Sequence, residues 1–142
     1  SEKSLSPVPS GGGEKKRLSY ETAHAGIPLV QHSLLLMLYY FKLGKIPLEK
    51  IVQKMCHAVA DCFHVTERGY IREGYYADLV IVDLDKSTTV LKENVLFKCG
   101  WSPFEEFTFP AAITHTFVNG HLVFGNDRWD ESVKGKRLLF ER

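Results

Sequence analysis

The sequence GYIREGYYADLVIVDL, residues 69–84, separates a part of the chain with helical periodicity from a part with strand periodicity. Within it, Gly69 and Gly74 interrupt regular structure, and residues 77–84 follow as a short apolar run with an aspartate near each end. Such a run, bounded by turn residues, is typical of a strand whose middle is buried on both faces. The sequence therefore predicts helices before this segment and strands after it.

A β-hairpin is predicted further along the chain. Residues 113–118 and 121–124 are rich in β-branched and aromatic residues, and Asn119-Gly120 joins them. An Asn-Gly pair between two such runs is a strong hairpin signal, because both residues readily adopt the positive φ that a tight turn requires. We therefore expect two adjacent antiparallel strands here.

A first helix is predicted over residues 29–43, where apolar side chains point in every direction around the helix axis. Its polar residues, Gln31, His32 and Ser33, lie at the N-terminal end, and Gly44 fits the C-terminal stop. A helix that is apolar on all sides must be enclosed by neighbours. In isolation this chain should then expose an apolar patch and self-associate.

A second helix is predicted over residues 48–64, with Pro47 at its start, where a missing N–H costs nothing. Apolar residues fall on one stripe and polar residues opposite, so this helix is expected to lie at a surface. The stripe consists of Ile51, Val52, Met55, Val59, Cys62 and Phe63.

Composition excludes several classes of protein. The 142 residues include 18 basic and 17 acidic side chains, a net charge of +1, and 44% hydrophobic residues, which is typical of a folded domain rather than a disordered chain. The longest apolar run, residues 34–41, is too short to span a membrane, which takes roughly 20 residues. Balanced charge gives no reason to expect nucleic acid. Three cysteines without a C-x-x-C pair indicate reduced thiols, and no secretory signal is visible, so a cytoplasmic location is expected.

Few residues suggest chemistry on their own. The sequence has no phosphate-binding loop, no nucleophile elbow and no H-E-x-x-H zinc motif. His57, Asp61 and His64 share the spacing of one helix face and could hold a metal, but Lys50 and Lys54 on the same face favour a solvated polar surface. Composition and spacing alone therefore indicate a soluble domain of helices and strands without a catalytic centre of its own.

Two other features leave alternatives open. His32 could face a pocket or could simply belong to the polar first turn of its helix. Trp101 and Phe104 could shape a ligand site, or could anchor the long loop in which they lie. In both cases the second interpretation is favoured.

Three motifs resemble those of bacterial dihydroorotases, which belong to the amidohydrolase superfamily. The segment PLVQHS at residues 28–33 resembles the start of the last barrel helix in that family. Residues 69–80 resemble the G-x-I-x-x-G-x-x-A-D-L element that amidohydrolases share after their barrel. The segment KCGWSPFE at residues 98–105, followed by Val118-Asn119-Gly120, resembles the dihydroorotase tail, although Glu106 stands where that motif has glycine, so the turn is expected to differ in shape.

The resemblance implies an α/β fold: the C-terminal fragment of a TIM-barrel metal-dependent hydrolase, followed by a small β-sandwich. Residues 1–28 would then be a flexible active-site loop, with residues 1–13 also interpretable as a linker. Residues 29–64 would be the last barrel helices, and residues 65–142 the sandwich and C-terminal tail. Active sites of such barrels lie at the loops that follow the strands, which places the start of this chain near the chemistry.

For the active site, the resemblance implies two zinc ions whose ligands lie outside this chain, so neither catalytic nor metal-binding residues are assigned within it. The D-H-A-P-H metal motif should precede an acidic-Lys pair, for which Glu14-Lys15 and Ser1-Glu2-Lys3 are both candidates. The family's A-P-S-G-G substrate loop aligns with residues 23–27, where Ala25 replaces serine. A more literal match, residues 9–12, is out of register with the helix and ranks second. Substrate-binding residues are therefore predicted to be Ala25, Gly26 and His32.

The implied reaction is the interconversion of N-carbamoyl-aspartate and dihydroorotate, with this chain alone inactive. Two alternatives stand beside it. A hydantoinase- or allantoinase-type cyclic amidase could carry the same tail, and a non-catalytic homologue could act as a scaffold. The expected partners are the small-molecule substrate and further copies of the protein, with no nucleic acid and no membrane.

Overall fold

A computed structural model describes residues 26–125 and 127–141 of the chain. The chain divides into two compact units. The loop unit comprises Ser1–Ser33 and Thr89–Thr108, and the sheet unit comprises Leu34–Thr88 and Phe109–Arg142. Helices precede strands along the chain, as the change of period predicted, and the α/β class is confirmed. None of the helices in the described ranges is long and apolar enough to cross a membrane.

The first predicted helix is shorter than expected and begins with a different geometry. Val30–His32 forms a 3-10 turn, and helix α1, Ser33–Lys42, continues from it. The helix ends at Gly44, whose φ of +66° and N–H bond of 2.8 Å to the carbonyl of Phe41 are those of a left-handed helix stop. Within α1 only Leu35 and Leu38 are buried, and the other apolar side chains keep partial exposure, so the enclosure predicted on all sides is not found in the described chain.

The second predicted helix is interrupted by a wide turn. Helix α2, Leu48–Val52, begins directly after Pro47, as predicted, and passes into a π-turn, Gln53–His57. Helix α3, Ala58–Cys62, follows and ends two residues before the predicted boundary.

This π-turn corrects the predicted apolar stripe. A π-turn accommodates one extra residue, which rotates the following residues by about 100° relative to an uninterrupted helix. Ala60 is therefore buried, whereas Val59 and Phe63, predicted to lie on the buried stripe, are 46% and 62% exposed. Ile51, which precedes the wide turn, is buried as the stripe predicts, but Val52 beside it is 41% exposed, so the prediction of a buried stripe fails there too. Met55 and Cys62 are exposed as well.

The strands form a four-stranded antiparallel sheet in the order β1-β4-β5-β6, while β2 pairs with β3 as a short two-stranded ribbon. Asn119 and Gly120 turn between β4 and β5 with φ values of +52° and +83°, so the predicted hairpin is confirmed. The strands are β1, Leu79–Asp83; β2, Thr88–Thr89; β3, Thr108–Phe109; β4, Ala112–Val118; β5, His121–Gly125; and β6, Arg128–Trp129.

A polar cluster around the buried Arg68 side chain joins the A-D-L element to the hairpin turn. The Arg68 guanidinium, 9% exposed, donates to Oδ2 of Asp78 and, at 2.7 Å, to Oδ1 of Asn119. Oδ1 of Asp78 accepts the backbone N–H of Asn119 at 2.7 Å. The guanidinium also lies over the ring of Tyr76, 4.2 Å from its centroid. Hydrogen bonds of this cluster therefore connect the segment around Arg68 and Asp78 with the turn at Asn119, about 40 residues further along the chain.

We predict that Arg68→Met lowers the free energy of unfolding by about 2 kcal/mol, because it removes the charge-assisted hydrogen bonds to Asp78 and Asn119. The loss is smaller than for a fully buried pair, since the Asp78 side chain is 35% exposed and water solvates its charge when Arg68 is absent. Arg72→Met is the matched control: Arg72 is exposed and stacks on Tyr70, and its loss should cost less than about 1 kcal/mol. Denaturant unfolding measures both, and equal effects would contradict the special role of Arg68.

Gly69 lies directly against α3. A Cβ at this position would come within 2.3 Å of Cβ of Ala60 and 3.1 Å of the Cys56 carbonyl oxygen, and φ is +80°. Gly74 has a similar φ of +83°, but a Cβ there would have no atom within 4 Å. Substitution of Gly74 would therefore introduce backbone strain alone, whereas substitution of Gly69 would add a steric clash to it.

We predict that Gly69→Ala destabilises the protein by at least about 2 kcal/mol more than Gly74→Ala. Both substitutions place alanine in the left-handed region, but only the Cβ at position 69 would clash with Ala60. Adding Ala60→Gly should recover part of the Gly69→Ala loss, which a double-mutant cycle measures. Additive effects of the two substitutions would argue against the close contact.

Candidate functional site

The three predicted substrate-binding residues fall in different surroundings. Ala25 lies outside the described residues. Gly26 is exposed, with no atom within 4 Å of where a Cβ would stand. His32, in contrast, is only 2% exposed. The segment thus passes within a few residues from an open backbone position to a buried imidazole.

The His32 ring joins the two dihydroorotase-like motifs of the loop unit. Its Nδ1 lies 3.2 Å from Oγ of Ser102, and that hydroxyl accepts the backbone N–H of Phe104 at 3.2 Å. The rings of Phe97 and Phe104 meet the imidazole edge to face, with centroids 5.7 and 5.9 Å away. Residues 28–33 and 98–105, recognised separately in the sequence, therefore meet at one side chain.

The electrostatic state of His32 follows from this burial. Removal from water penalises the imidazolium, so desolvation lowers the pKa of His32 below its ordinary value. The Nδ1 atom of a neutral ring can accept a hydrogen bond from the Ser102 hydroxyl. His32 and Ser102 are 2% and 6% exposed, so their contact lies in the interior of the loop unit.

Gln31 connects the same turn to a second part of the loop unit. Its Nε2 donates to the carbonyl of Asn94 at 2.7 Å, and its Oε1 accepts the N–H of Leu96 at 2.9 Å. Sequence reasoning placed Gln31 only among the polar residues that begin a helix. Its position inside the PLVQHS motif was the one sequence feature that marked Gln31 as important, and this feature did not indicate that residues 94–96 are its partners.

The aromatic residues of the long loop mainly anchor it. Phe104 is 6% exposed and packs on His32, which confirms the anchoring interpretation for this residue. Trp101 is partly buried. Glu106 has a φ of +67°, in the left-handed region that glycine favours, and its N–H binds the Val90 carbonyl at 2.8 Å. This turn therefore adopts a glycine-like backbone despite the substitution that predicted a different shape.

The candidate metal cluster on the second helix has another arrangement. The His57 ring stacks on Tyr70, with centroids 4.2 Å apart, and the Tyr70 hydroxyl donates to both Asp61 oxygens at 2.9 and 3.0 Å. This hydrogen bond to Asp61 raises the pKa of Tyr70 above its ordinary value. His64 follows the end of α3 with a φ of +52°. Among residues 26–125 and 127–141, no three His, Cys, Asp or Glu side chains are placed to hold a metal ion, so these residues do not fit a metal centre.

Comparison with known proteins identifies the family. The model described as "Amidohydrolase family" matches residues 22–123, which is more than half of the chain. The chain belongs to the amidohydrolase family. The dihydroorotase of Pyrococcus horikoshii is 31% identical over 121 residues, which cover 85% of this chain and 29% of that protein. This confirms the resemblance to dihydroorotases inferred from the three motifs.

This amidohydrolase is also similar to enzymes whose names indicate other substrates. The allantoinase of Desulfitobacterium hafniense is 31% identical over 94 residues, covering 66% of this chain and 21% of that protein. The solved structure of the L-hydantoinase (dihydropyrimidinase) from Arthrobacter aurescens superimposes with a TM-score of 0.68 and 31% identity, covering 77% of this chain and 25% of that one. The chain thus spans less than a third of the length of each of these proteins.

We predict that His32 makes the stability of the protein depend on pH. The folded state keeps His32 neutral, while the unfolded chain takes up a proton near its ordinary pKa of about 6.5. This part of the stability is therefore complete above about pH 6.5 and is lost as the pH falls through the lower pKa of the folded state. Denaturant unfolding at pH 7.5 and 5.0 measures the slope.

His32→Asn should flatten this slope, although it lowers stability at both pH values. His64→Asn is the matched control for the same substitution at an exposed histidine. If His32→Asn leaves the pH dependence intact, burial of the neutral imidazole is not its source.

Proposed function

We propose that this chain is the C-terminal portion of a dihydroorotase-like hydrolase, which interconverts N-carbamoyl-aspartate and dihydroorotate in pyrimidine synthesis. In this proposal residues 29–64 are the last helices of a TIM barrel, and residues 65–142 belong to a small β-sandwich. The observation that carries it is the contact between His32 and Ser102, since it unites the two motifs that distinguish dihydroorotases from the wider superfamily.

The substrate loop is proposed to act through its backbone. Gly26 has open space beside it, so a flat ring could approach its N–H and carbonyl closely. A cyclic amide offers complementary N–H and C=O groups along its ring edge. Replacement of serine by Ala25 removes a hydroxyl but leaves backbone hydrogen bonding at that position available.

The role of His32 in this proposal differs from that of Gly26. Because its ring is buried against Ser102 and Phe104, His32 is proposed to hold the turn behind the loop rather than to contact the ring itself. Polar and aromatic contacts of this kind keep a binding loop in one conformation, which lowers the entropy lost when substrate binds.

The zinc ions implied by the family belong, in this proposal, to another part of the protein. The described residues do not fit a metal centre, and the cluster on the second helix is engaged by Tyr70. We further propose a cytoplasmic homo-oligomer. The exposed apolar side chains of the second helix offer a surface for contact with other parts of the protein or another copy; they include Val52, Met55, Val59 and Phe63.

A cyclic amidase of different specificity is the second candidate, because an allantoinase and a hydantoinase are similar to this chain at the same level of identity. A scaffold without activity is the third. These alternatives differ in turnover rather than in fold.

We predict that the full-length protein, supplied with zinc, hydrolyses dihydroorotate with a kcat/KM at least about tenfold above those for hydantoin and allantoin. The assay compares the three substrates by the absorbance change on ring opening. Turnover of hydantoin alone would replace the proposal by the second candidate, and no turnover of any of them would favour the scaffold.

The 142-residue chain by itself provides the matching control. Dialysed and analysed for metal, it should hold less than stoichiometric zinc and hydrolyse none of the three substrates. His57→Ala in the full-length protein should leave turnover unchanged. Stoichiometric zinc in the chain, with turnover that His57→Ala abolishes, would overturn the placement of the site.

A further inference from the structure

We propose that Gln31 is a positioning residue for the substrate loop: its side-chain amide fixes the turn from which residues 26–28 depart. This inference rests on the proposed function, since it concerns the loop that would bind the cyclic amide. Gln31 is not among the residues predicted to contact substrate.

Both ends of the Gln31 amide are used. Nε2 donates to the Asn94 carbonyl at 2.7 Å, and Oε1 accepts the Leu96 N–H at 2.9 Å, so the side chain pairs with the backbone as a neighbouring strand would. An interaction with one donor and one acceptor fixes both the distance and the orientation of the group. Gln31 therefore sets the position of its own backbone relative to residues 94–96.

The segment that receives Gln31 is itself fixed. Lys92–Asn94 forms a 3-10 turn, and the Asn94 side chain binds the backbone that precedes this turn at two points. Its Oδ1 accepts the Leu91 N–H at 2.9 Å, and its Nδ2 donates to the Thr89 carbonyl at 2.8 Å. The backbone that Gln31 binds is therefore held in place by the Asn94 side chain, so the hydrogen bonds of Gln31 can fix the position of its own turn.

The turn that contains Gln31 is equally well defined. The Leu29 carbonyl accepts the His32 N–H at 2.9 Å and the Ser33 hydroxyl at 2.9 Å. Leu29 lies three residues after Gly26, so the loop leaves from a carbonyl whose direction is set. The position of Gln31 therefore affects the C-terminal end of the substrate loop.

Apolar packing contributes little at this turn. Ile27 is 63% exposed and Val30 is 88% exposed, although both are large aliphatic residues. Side chains this exposed bury little area that could hold the backbone in place. Among the described residues, the polar contacts of Gln31 and the buried His32 ring therefore contribute to locating this turn.

Loss of this positioning should appear in substrate binding. A loop that contacts the ring through its backbone makes the same bonds in the ground state and the transition state, so its misplacement raises KM and leaves kcat nearly unchanged. A purely structural role would instead lower the amount of folded enzyme, which reduces the apparent kcat at constant KM.

The experiment uses the full-length protein with three variants. Gln31→Met keeps the length of the side chain and loses both hydrogen bonds, and Gln31→Glu keeps the acceptor for Leu96. Gln53→Met is the control, since Gln53 is an exposed glutamine on the second helix that accepts a bond from Lys50. Kinetics with dihydroorotate and amide hydrogen exchange of residues 26–33 and 94–96 are measured for each.

For Gln31→Met we expect KM to rise about tenfold with kcat within about twofold of wild type, and exchange to accelerate about tenfold in both segments. Gln31→Glu should give a smaller change, and Gln53→Met none. Unchanged KM with accelerated exchange would reduce Gln31 to a structural residue and overturn the proposal. Unchanged exchange would overturn it as well.

Failure of the proposed function has a different signature. If the wild-type protein hydrolyses no cyclic amide, the assignment of the reaction fails, while hydrogen exchange still tests Gln31. Acceleration at the His32 amide, which donates to the Leu29 carbonyl, in Gln31→Met would then support the ordering of this turn by Gln31. Its absence would refute the ordering itself.

Discussion

The carboxylate of Asp78 is the constraint on which the sheet unit depends. One oxygen binds the Arg68 guanidinium, and the other binds the backbone of the Asn119 turn, so a single side chain connects the segment after α3 with the β4–β5 hairpin. The guanidinium closes this arrangement by reaching the Asn119 side chain as well. Because the buried Arg68 guanidinium must keep its hydrogen-bond partners, it fixes the positions of Asp78 and Asn119 more strictly than apolar contacts would.

The loop unit is organised on the same principle, with a neutral ring in place of an ion pair. His32 and Gln31 are adjacent in sequence, yet their side chains bind different parts of the loop. His32 contacts the Ser102 hydroxyl, and Gln31 binds the backbone of residues 94 and 96. Two neighbouring side chains thus hold one long segment at two points. Such an arrangement lets a loop with few regular hydrogen bonds keep a defined shape.

Much of this architecture could be predicted from local sequence, and the reasons for success and failure are physical. The hairpin was predictable, because Asn119-Gly120 has a conformational preference independent of its surroundings. The start of α2 after Pro47 was predictable for the same kind of reason. The pairing of His32 with Ser102 was not, because 70 residues separate them and neither type of side chain specifies a partner. The motifs indicated which segments matter to the family, but not that they touch.

The π-turn within the second helix has a consequence for how this chain accommodates changes in length. In structural terms it is the equivalent of a single inserted residue, absorbed by a local widening rather than by a shift of everything that follows. The widening brings Ala60, instead of the bulkier Val59, to the side that faces Gly69, and the Cys56 carbonyl of the π-turn borders the same glycine. A valine at that place would keep the incoming backbone at a distance. An apparent irregularity of the helix is therefore what allows the connection to the sheet to pass so close, and a deletion that restored a regular helix would push this connection outward.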